Sequence, residues 1–138
     1  MNINAGTYQV FFDNSMDELV RFVNDNYPNS KRYIIADSNT LELCLPIIDT
    51  YLGALKVEQQ VFKIEPGEES KSIDLAHQLW ENFTDLEITR GDLILNIGGG
   101  VVTDLGGFVA ATYKRGVDVI NIPTTLLAMA DASVGGKV

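Results

Sequence analysis

The stretch Leu93-Ile94-Leu95-Asn96-Ile97-Gly98-Gly99-Gly100-Val101-Val102-Thr103-Asp104 restricts the fold more than any other part of the chain. A short apolar run breaks on three glycines and restarts at once as a helical pattern, with Leu105, Phe108, Val109 and Thr112 at helical spacing. The apolar run predicts a buried strand, and the glycines predict a tight turn with no Cβ in the way. Strand, glycine turn and helix N-terminus together leave unpaired backbone N–H groups pointing out of the turn. Such a turn is a seat for phosphate, and the expected ligand is a nucleotide.

The rest of the chain repeats the alternation. Tyr8 to Phe12 reads as a strand, and Ser15-Met16-Asp17-Glu18 has capping-box spacing that opens a helix through Val23. Tyr33 to Ala36 is a second buried strand ending at Asp37, followed by a helix from Asn39 to Tyr51 with a kink expected at Pro46. Val57 to Ile64 alternates as a strand, Ser70 to Phe83 as a helix, Asp92 to Ile97 as a strand. Val117 to Ile122 is another strand and Thr124 to Ala132 a short helix. This rhythm predicts a single α/β domain, Rossmann-like, with a mostly parallel sheet and helices on both faces. At 138 residues and 46% hydrophobic, one buried core is expected. The chain ends in the loop Gly135-Gly136-Lys137-Val138, which reads as cut rather than finished.

Composition removes several classes of function. A net charge of −9 excludes a nucleic-acid-coating surface, which needs a basic face. No segment approaches membrane-spanning length, and Met1 to Tyr8 has neither a basic start nor an apolar signal core. The single cysteine, Cys44, has no internal partner and is expected in core packing, in a reduced cytoplasmic setting. His77 is the only histidine, so neither a three-ligand zinc set nor a Ser–His–Asp arrangement is assembled around it.

Each candidate site has a plain structural reading beside the functional one. The dinucleotide fingerprint fits Gly98 and Gly100 but fails at Thr103, and a Walker loop fails because Val138 follows Gly136-Lys137. Asp104 either interacts with the helix dipole or accepts hydrogen bonds from a sugar or amide. Gly106 with Ala110, and Gly107 with Ala111, form a small-residue face suited to close packing. Pro66-Gly67-Glu68-Glu69-Ser70-Lys71 is a turn and helix start in which Lys71 is the odd member, a cation that a ligand phosphate or ribose would explain. Thr124 and Thr125 sit at a strand's carboxyl end, where open α/β sheets bind ligands, although one of them is expected to cap a helix. Asp131, Ser133 and Lys137 cluster around Gly135-Gly136, either as a solvated loop or as the lining of a polar site.

In order, Pro66 to Lys71, Gly98 to Asp104, Pro123 to Ala128 and Asp131 to Lys137 resemble the 3-dehydroquinate synthase family. Its members read Pro-Gly-Glu-x-x-Lys, Gly-Gly-Gly-Val-Val-Gly-Asp, Pro-Thr-Thr-Leu-Leu-Ala and Asp-x-Ser-Val-Gly-Gly-Lys. Gly107 to Gly116 is also similar. The resemblance spans nearly the whole chain but well under half of a full family member. It departs at Thr103, where glycine is usual, and at Ala132, where serine is common.

The resemblance implies that residues 1–138 are the NAD-binding N-terminal domain of a shikimate-pathway enzyme whose C-terminal metal and substrate domain lies outside this chain. That family converts 3-deoxy-D-arabino-heptulosonate 7-phosphate to 3-dehydroquinate and phosphate, by transient NAD oxidation, phosphate elimination, re-reduction and ring closure. Zinc or cobalt holds the substrate, on one glutamate and two histidines beyond Val138. By resemblance, Asp37 touches the adenosine, and Glu68 and Lys71 contact NAD. Gly98, Gly99, Gly100, Val101, Val102, Thr103 and Asp104 wrap its pyrophosphate and nicotinamide side, and Thr124 and Thr125 extend the contact. Asp131 and Lys137 approach nicotinamide and substrate, and Arg115 reaches a substrate phosphate across a homodimer interface. The alternatives are another sugar-phosphate cyclase, of the inosose or valiolone synthase type, and a non-catalytic nucleotide-binding module.

Overall fold

The computed structural model describes residues 2–4, 9–11 and 16–124. Its centre is a four-stranded parallel sheet, preceded by a separate antiparallel pair, β1 (Asn2–Asn4) with β2 (Gln9–Phe11). The sheet contains β3 (Arg32–Asp37), β4 (Val61–Ile64), β5 (Leu93–Gly98) and β6 (Asp118–Pro123), in the order β4-β3-β5-β6. Ile34 lies opposite Leu95 and Ala36 opposite Ile97, so the apolar runs of β3 and β5 form the centre. Both strands are buried along their whole length, as strands covered on two faces must be.

Five helices cover the two faces. Helices α1 (Met16–Asn26), α2 (Ser38–Leu43) and α3 (Leu45–Ala54) share one face, where Leu19, Val23, Leu52 and Leu55 pack on Ile34, Ala36, Leu93, Leu95 and Ile97. Helices α4 (Ile73–Asp85) and α5 (Gly100–Thr112) share the other, packing Ala76, Leu79, Phe83, Val102 and Val109 on Tyr33, Ile35, Phe62 and Ile94. The period-two alternation of strand side chains divides the core between these faces. Rings line the second one: Phe83, fully buried, has its centroid 5.1 Å from Phe62 and 5.2 Å from Tyr113.

Three expectations change. The helix expected over Asn39 to Tyr51 is two helices meeting at Cys44, whose N–H closes α2 on the Thr40 carbonyl at 2.8 Å. Pro46 has no N–H to continue the ladder and suits the first turn of a new helix, so the kink becomes a break. Cys44 accordingly sits half-buried at a corner rather than in the core. The strand expected from Val57 is regular only from Val61: Glu58 donates to the Arg32 carbonyl at 2.7 Å, but the ladder to β3 begins at Ile34 opposite Val61. The helix expected from Ser70 begins after a 3-10 turn (Glu68–Ser70), with Ser72 as its cap. The Ser15 cap and the helix expected over Thr124 to Ala132 lie outside the described residues.

At the amino ends of the strands a set of side chains ties the connecting turns down, with Arg32 Nε the one guanidinium nitrogen left buried without a partner among the described residues. Buried Arg32 donates to the Leu55 carbonyl at 2.7 Å, the Tyr27 carbonyl at 2.7 Å and Asn24 Oδ1 at 2.8 Å. These are the carboxyl ends of α1 and α3, where a cation is favoured by the helix dipoles. Burial without a carboxylate partner lowers the guanidinium pKa. Asp92 accepts the Lys31 N–H at 3.1 Å and the Thr89 N–H at 2.9 Å. Tyr27 donates to Asp118 at 2.8 Å, and burial together with that carboxylate raises its phenol to about 12. Among the described residues no helix is long and apolar enough to cross a membrane.

Candidate functional site

The carboxyl ends of β3 and β5 diverge. The chain leaves β3 into α2 on one face of the sheet and leaves β5 into α5 on the other. Adjacent parallel strands whose helices depart to opposite faces open a crevice, and ligands of open α/β sheets bind in that crevice. Asp37 ends β3 on one side of it, and the Gly98–Gly100 turn ends β5 on the other.

The three glycines do different things. A Cβ on Gly98 would lie 2.6 Å from Val102 Cγ2 and 3.3 Å from Thr40 Oγ1, so this glycine lets α5 and α2 close on the end of β5. Gly99 is the helix cap and, having no side chain, leaves the α5 N-terminus without a side-chain hydrogen bond. A Cβ on Gly100 would meet nothing within 4 Å, and its φ is not positive. Neither packing nor backbone conformation requires glycine there. The space beside Gly100 is open among the described residues. Val101 is half-buried and Val102 fully buried beneath the turn.

Thr103 is buried in helical conformation, and its hydroxyl donates back to the Gly99 and Gly100 carbonyls at 3.2 and 3.3 Å. The side chain folds back on its own helix, which accommodates a threonine where the resembling family has glycine.

Lys71 and Asp104, on separate elements, meet beside this turn. Lys71 Nζ lies 2.8 Å from Asp104 Oδ2 and 3.2 Å from Glu68 Oε2. The hydrogen bond to Asp104 raises the lysine pKa, burial opposes it, and Glu68 adds to the rise. Carboxylates of the protein itself therefore already balance the cation that looked odd at a helix start. The second oxygen of Asp104, Oδ1, is buried without a partner. A cavity of about 260 Å³ adjoins the pair, lined by Lys71, Ser72, Ile73, Asp104, Leu105 and Phe108.

The remaining expected residues divide. Asp37 Oδ1 caps α2 by accepting the Thr40 N–H at 2.7 Å, which fixes the carboxylate at the crevice. The exposed Thr124 donates its backbone N–H to the Gly98 carbonyl at 2.9 Å, placing it at the same mouth. Arg115 is exposed in the 3-10 turn (Tyr113–Arg115) that precedes β6, in left-handed conformation (φ 65), beyond the far end of a six-residue strand about 20 Å long. Thr125, Asp131 and Lys137 lie outside the described residues. His77 is exposed and faces Glu81 at 3.5 Å. Among the described residues no group of three His, Cys, Asp or Glu side chains is placed to hold a metal.

One buried polar contact escaped sequence reading. Asn96 is fully buried in β5, donates to Asn121 of β6 at 2.9 Å, and faces α5, where a Cβ on Gly106 would fall 2.1 Å from its Oδ1. The small face of α5 thus lets the helix sit down on a polar strand residue. A lone asparagine inside an apolar strand run was the available clue.

A parallel α/β domain with an uncapped glycine turn at the divergence of its central strands is of the class that binds phosphate-bearing ligands. The chain belongs to the family described as 3-dehydroquinate synthase N-terminal, whose profile matches residues 61–138. The 3-dehydroquinate synthase of Thermoanaerobacter pseudethanolicus is 39% identical over 139 aligned positions, covering 100% of this chain and 39% of that protein. The chain thus spans about two-fifths of the length of such relatives. Among solved structures it is similar to 2-deoxy-scyllo-inosose synthase complexed with carbaglucose-6-phosphate, NAD+ and Co2+ (TM-score 0.78, 24% identity, 96% of this chain and 37% of that one). It is also similar to 2-epi-5-epi-valiolone synthase from Streptomyces hygroscopicus with NAD+ and Zn2+ bound (TM-score 0.74, 25% identity, 96% and 38%). The fold of these neighbours is the Rossmann-like arrangement expected from the sequence.

Proposed function

We propose that this chain is the NAD-binding N-terminal part of a 3-dehydroquinate synthase. The intact enzyme converts 3-deoxy-D-arabino-heptulosonate 7-phosphate to 3-dehydroquinate and phosphate. The observation that carries the nucleotide reading is Gly100: nothing in its surroundings needs glycine, and it heads an uncapped helix at the crevice. A pyrophosphate fits that open N-terminus, where backbone N–H groups and the helix dipole favour an anion. The curated relatives support the dehydroquinate reading over the inosose and valiolone alternatives, whose likeness is at 24–25% identity.

In this reading, the turn from Gly98 to Asp104 holds the pyrophosphate, with Thr103 serving the helix rather than the ligand. Asp37 and Glu68 take ribose or adenosine hydroxyls, and Lys71, held by Asp104, contacts NAD beside them. Thr124 and Thr125 close the mouth, and Asp131 and Lys137 face the nicotinamide and the substrate. Bound NAD supplies a reversible hydride acceptor. Arg115, at the opposite end of the sheet from the glycine turn, serves the phosphate of a substrate held by a second copy, which requires a homodimer. A divalent metal is held by residues outside this chain, and the setting is cytoplasmic. On this account residues 1–138 alone have no synthase activity, because they span about two-fifths of the synthases they match and leave the enclosure of the substrate to the rest.

Reconstitution tests it. The chain, substrate, NAD and zinc should release neither phosphate nor dehydroquinate. Adding the separately expressed C-terminal domain of a relative should produce both. Turnover by the chain alone at the rate of an intact synthase would contradict the division of labour.

A further inference from the structure

Two carboxylates share one ammonium beside the first turns of α5, and they are not equivalent. Asp104 is the nearer partner of Lys71, at 2.8 Å, and its side chain is 23% exposed; Glu68 is at 3.2 Å and 79% exposed. The exposed contact joins neighbours within one turn and is screened by solvent, whereas the shielded one joins two elements far apart in sequence. The turn that carries Lys71 is otherwise held by little: Gly67 at φ 111, the Ser70 hydroxyl on the Glu65 carbonyl at 2.6 Å, and short backbone bonds from Ser70 and Lys71 to Gly67 and Glu68. With two carboxylates on one ammonium, the group carries a net negative charge against α5, about one turn from its open N-terminus. That arrangement repels a phosphate until one carboxylate leaves.

We propose that Asp104 is a positioning residue that braces Lys71 and its turn against α5 before any ligand arrives, and that Glu68 is the partner released when a pyrophosphate enters. The brace stands on the ligand-free geometry alone; the release rests on the nucleotide reading above. Removing Glu68 from Lys71 leaves the Lys71–Asp104 pair neutral, so the α5 N-terminus acts on the anion without an opposing charge. The freed Glu68 carboxylate is then available to accept from ligand hydroxyls. In this arrangement a carboxylate aids anion binding by fixing a lysine, although its own charge opposes the anion.

Two measurements separate brace from release. In ligand-free protein, amide hydrogen exchange at Ser70, Lys71 and Ser72 should quicken about fivefold or more in Asp104→Asn and in Lys71→Met, and stay within about twofold in Glu68→Gln. Lys71→Met keeps the brace testable should Asp104→Asn fail to fold. Unchanged exchange in Lys71→Met, or the same rise in Glu68→Gln, overturns the brace. For the release, inorganic pyrophosphate is titrated by calorimetry. Glu68→Gln should bind it several-fold more tightly than wild type, and Asp104→Asn about tenfold more weakly. Tighter binding by Asp104→Asn reduces the arrangement to simple charge repulsion and overturns it. Weaker binding by Glu68→Gln overturns the release. If wild type binds neither pyrophosphate nor ADP, the nucleotide reading and the release fail together, and the exchange data still decide the brace.

Discussion

Helices α4 and α5 lie side by side on one face of the sheet, yet they are finished in opposite ways. Helix α4 is closed at both ends. The Ser72 hydroxyl accepts the Leu75 N–H at 3.2 Å, and the Glu87 and Ile88 N–H groups return to the Thr84 and Phe83 carbonyls, each at 3.0 Å. That is the paired bonding that ends a helix with a left-handed residue, here Glu87 at φ 57. One face of the helix is buried through Ala76, Leu79 and Phe83, and the other is polar. Helix α5 is almost wholly apolar, approaches the sheet through glycines, and has no side chain on its first N–H groups. The contrast separates two uses of the same element. One helix satisfies its own ends and contributes stability; its neighbour leaves an end unsatisfied where the sheet opens.

Substitutions can break that contrast, and the largest effect belongs to α4. Phe83→Ala removes a fully buried ring between Phe62 and Tyr113 and should destabilise the chain by about 4 kcal/mol in urea unfolding. A loss under about 1 kcal/mol would mean that α4 does not anchor this face. Next comes Gly106→Ala on α5. Its Cβ lands on the buried Asn96 amide, and the resulting shift should cost about 2 kcal/mol, read as a lower melting temperature. A neutral result would show that the Asn96–Asn121 pair yields freely.

The sequence made the central strands and the turn plain because both rest on local chemistry. Leu93 to Ile97, interrupted only by Asn96, and Tyr33 to Ala36 are apolar runs that a doubly covered sheet buries. Gly98 to Gly100 announces a turn by composition alone. Elsewhere the pattern depended on distant partners. Whether Val57 joins the strand depends on where β3 offers a free backbone group, and the pairing of Asn2–Asn4 with Gln9–Phe11 joins short segments with little apolar pattern. The meeting of Lys71 with Asp104 is a product of tertiary packing. The lysine looked unexplained because its nearer partner, Asp104, lies on α5, far along the chain. Pro46 was read correctly as a disturbance, but not as a break.

Smaller changes sharpen the same comparison at the helix ends. Ser72→Ala should remove about 1 kcal/mol by uncapping α4, measured by chemical denaturation. An unchanged midpoint would indicate that solvent replaces the cap without loss. Glu87→Gly relieves about 1 kcal/mol of left-handed strain, against about 0.5 kcal/mol of added unfolded-state entropy. The net stabilisation of about 0.5 kcal/mol should raise the melting temperature slightly; a fall would mean that the Glu87 side chain makes a contact worth more than the strain.

The central claim is that the space at the head of α5 is kept for a ligand rather than for the fold, and Gly100→Ala tests it most directly. The added Cβ lies more than 4 Å from any described atom outside its own helix backbone, and alanine is the better helix former, so the variant should be as stable as wild type or up to about 1 kcal/mol more stable. Titrated with NAD in a calorimeter, the same variant should bind at least tenfold more weakly than wild type, or not measurably. Undiminished NAD binding by a folded Gly100→Ala protein would contradict the account.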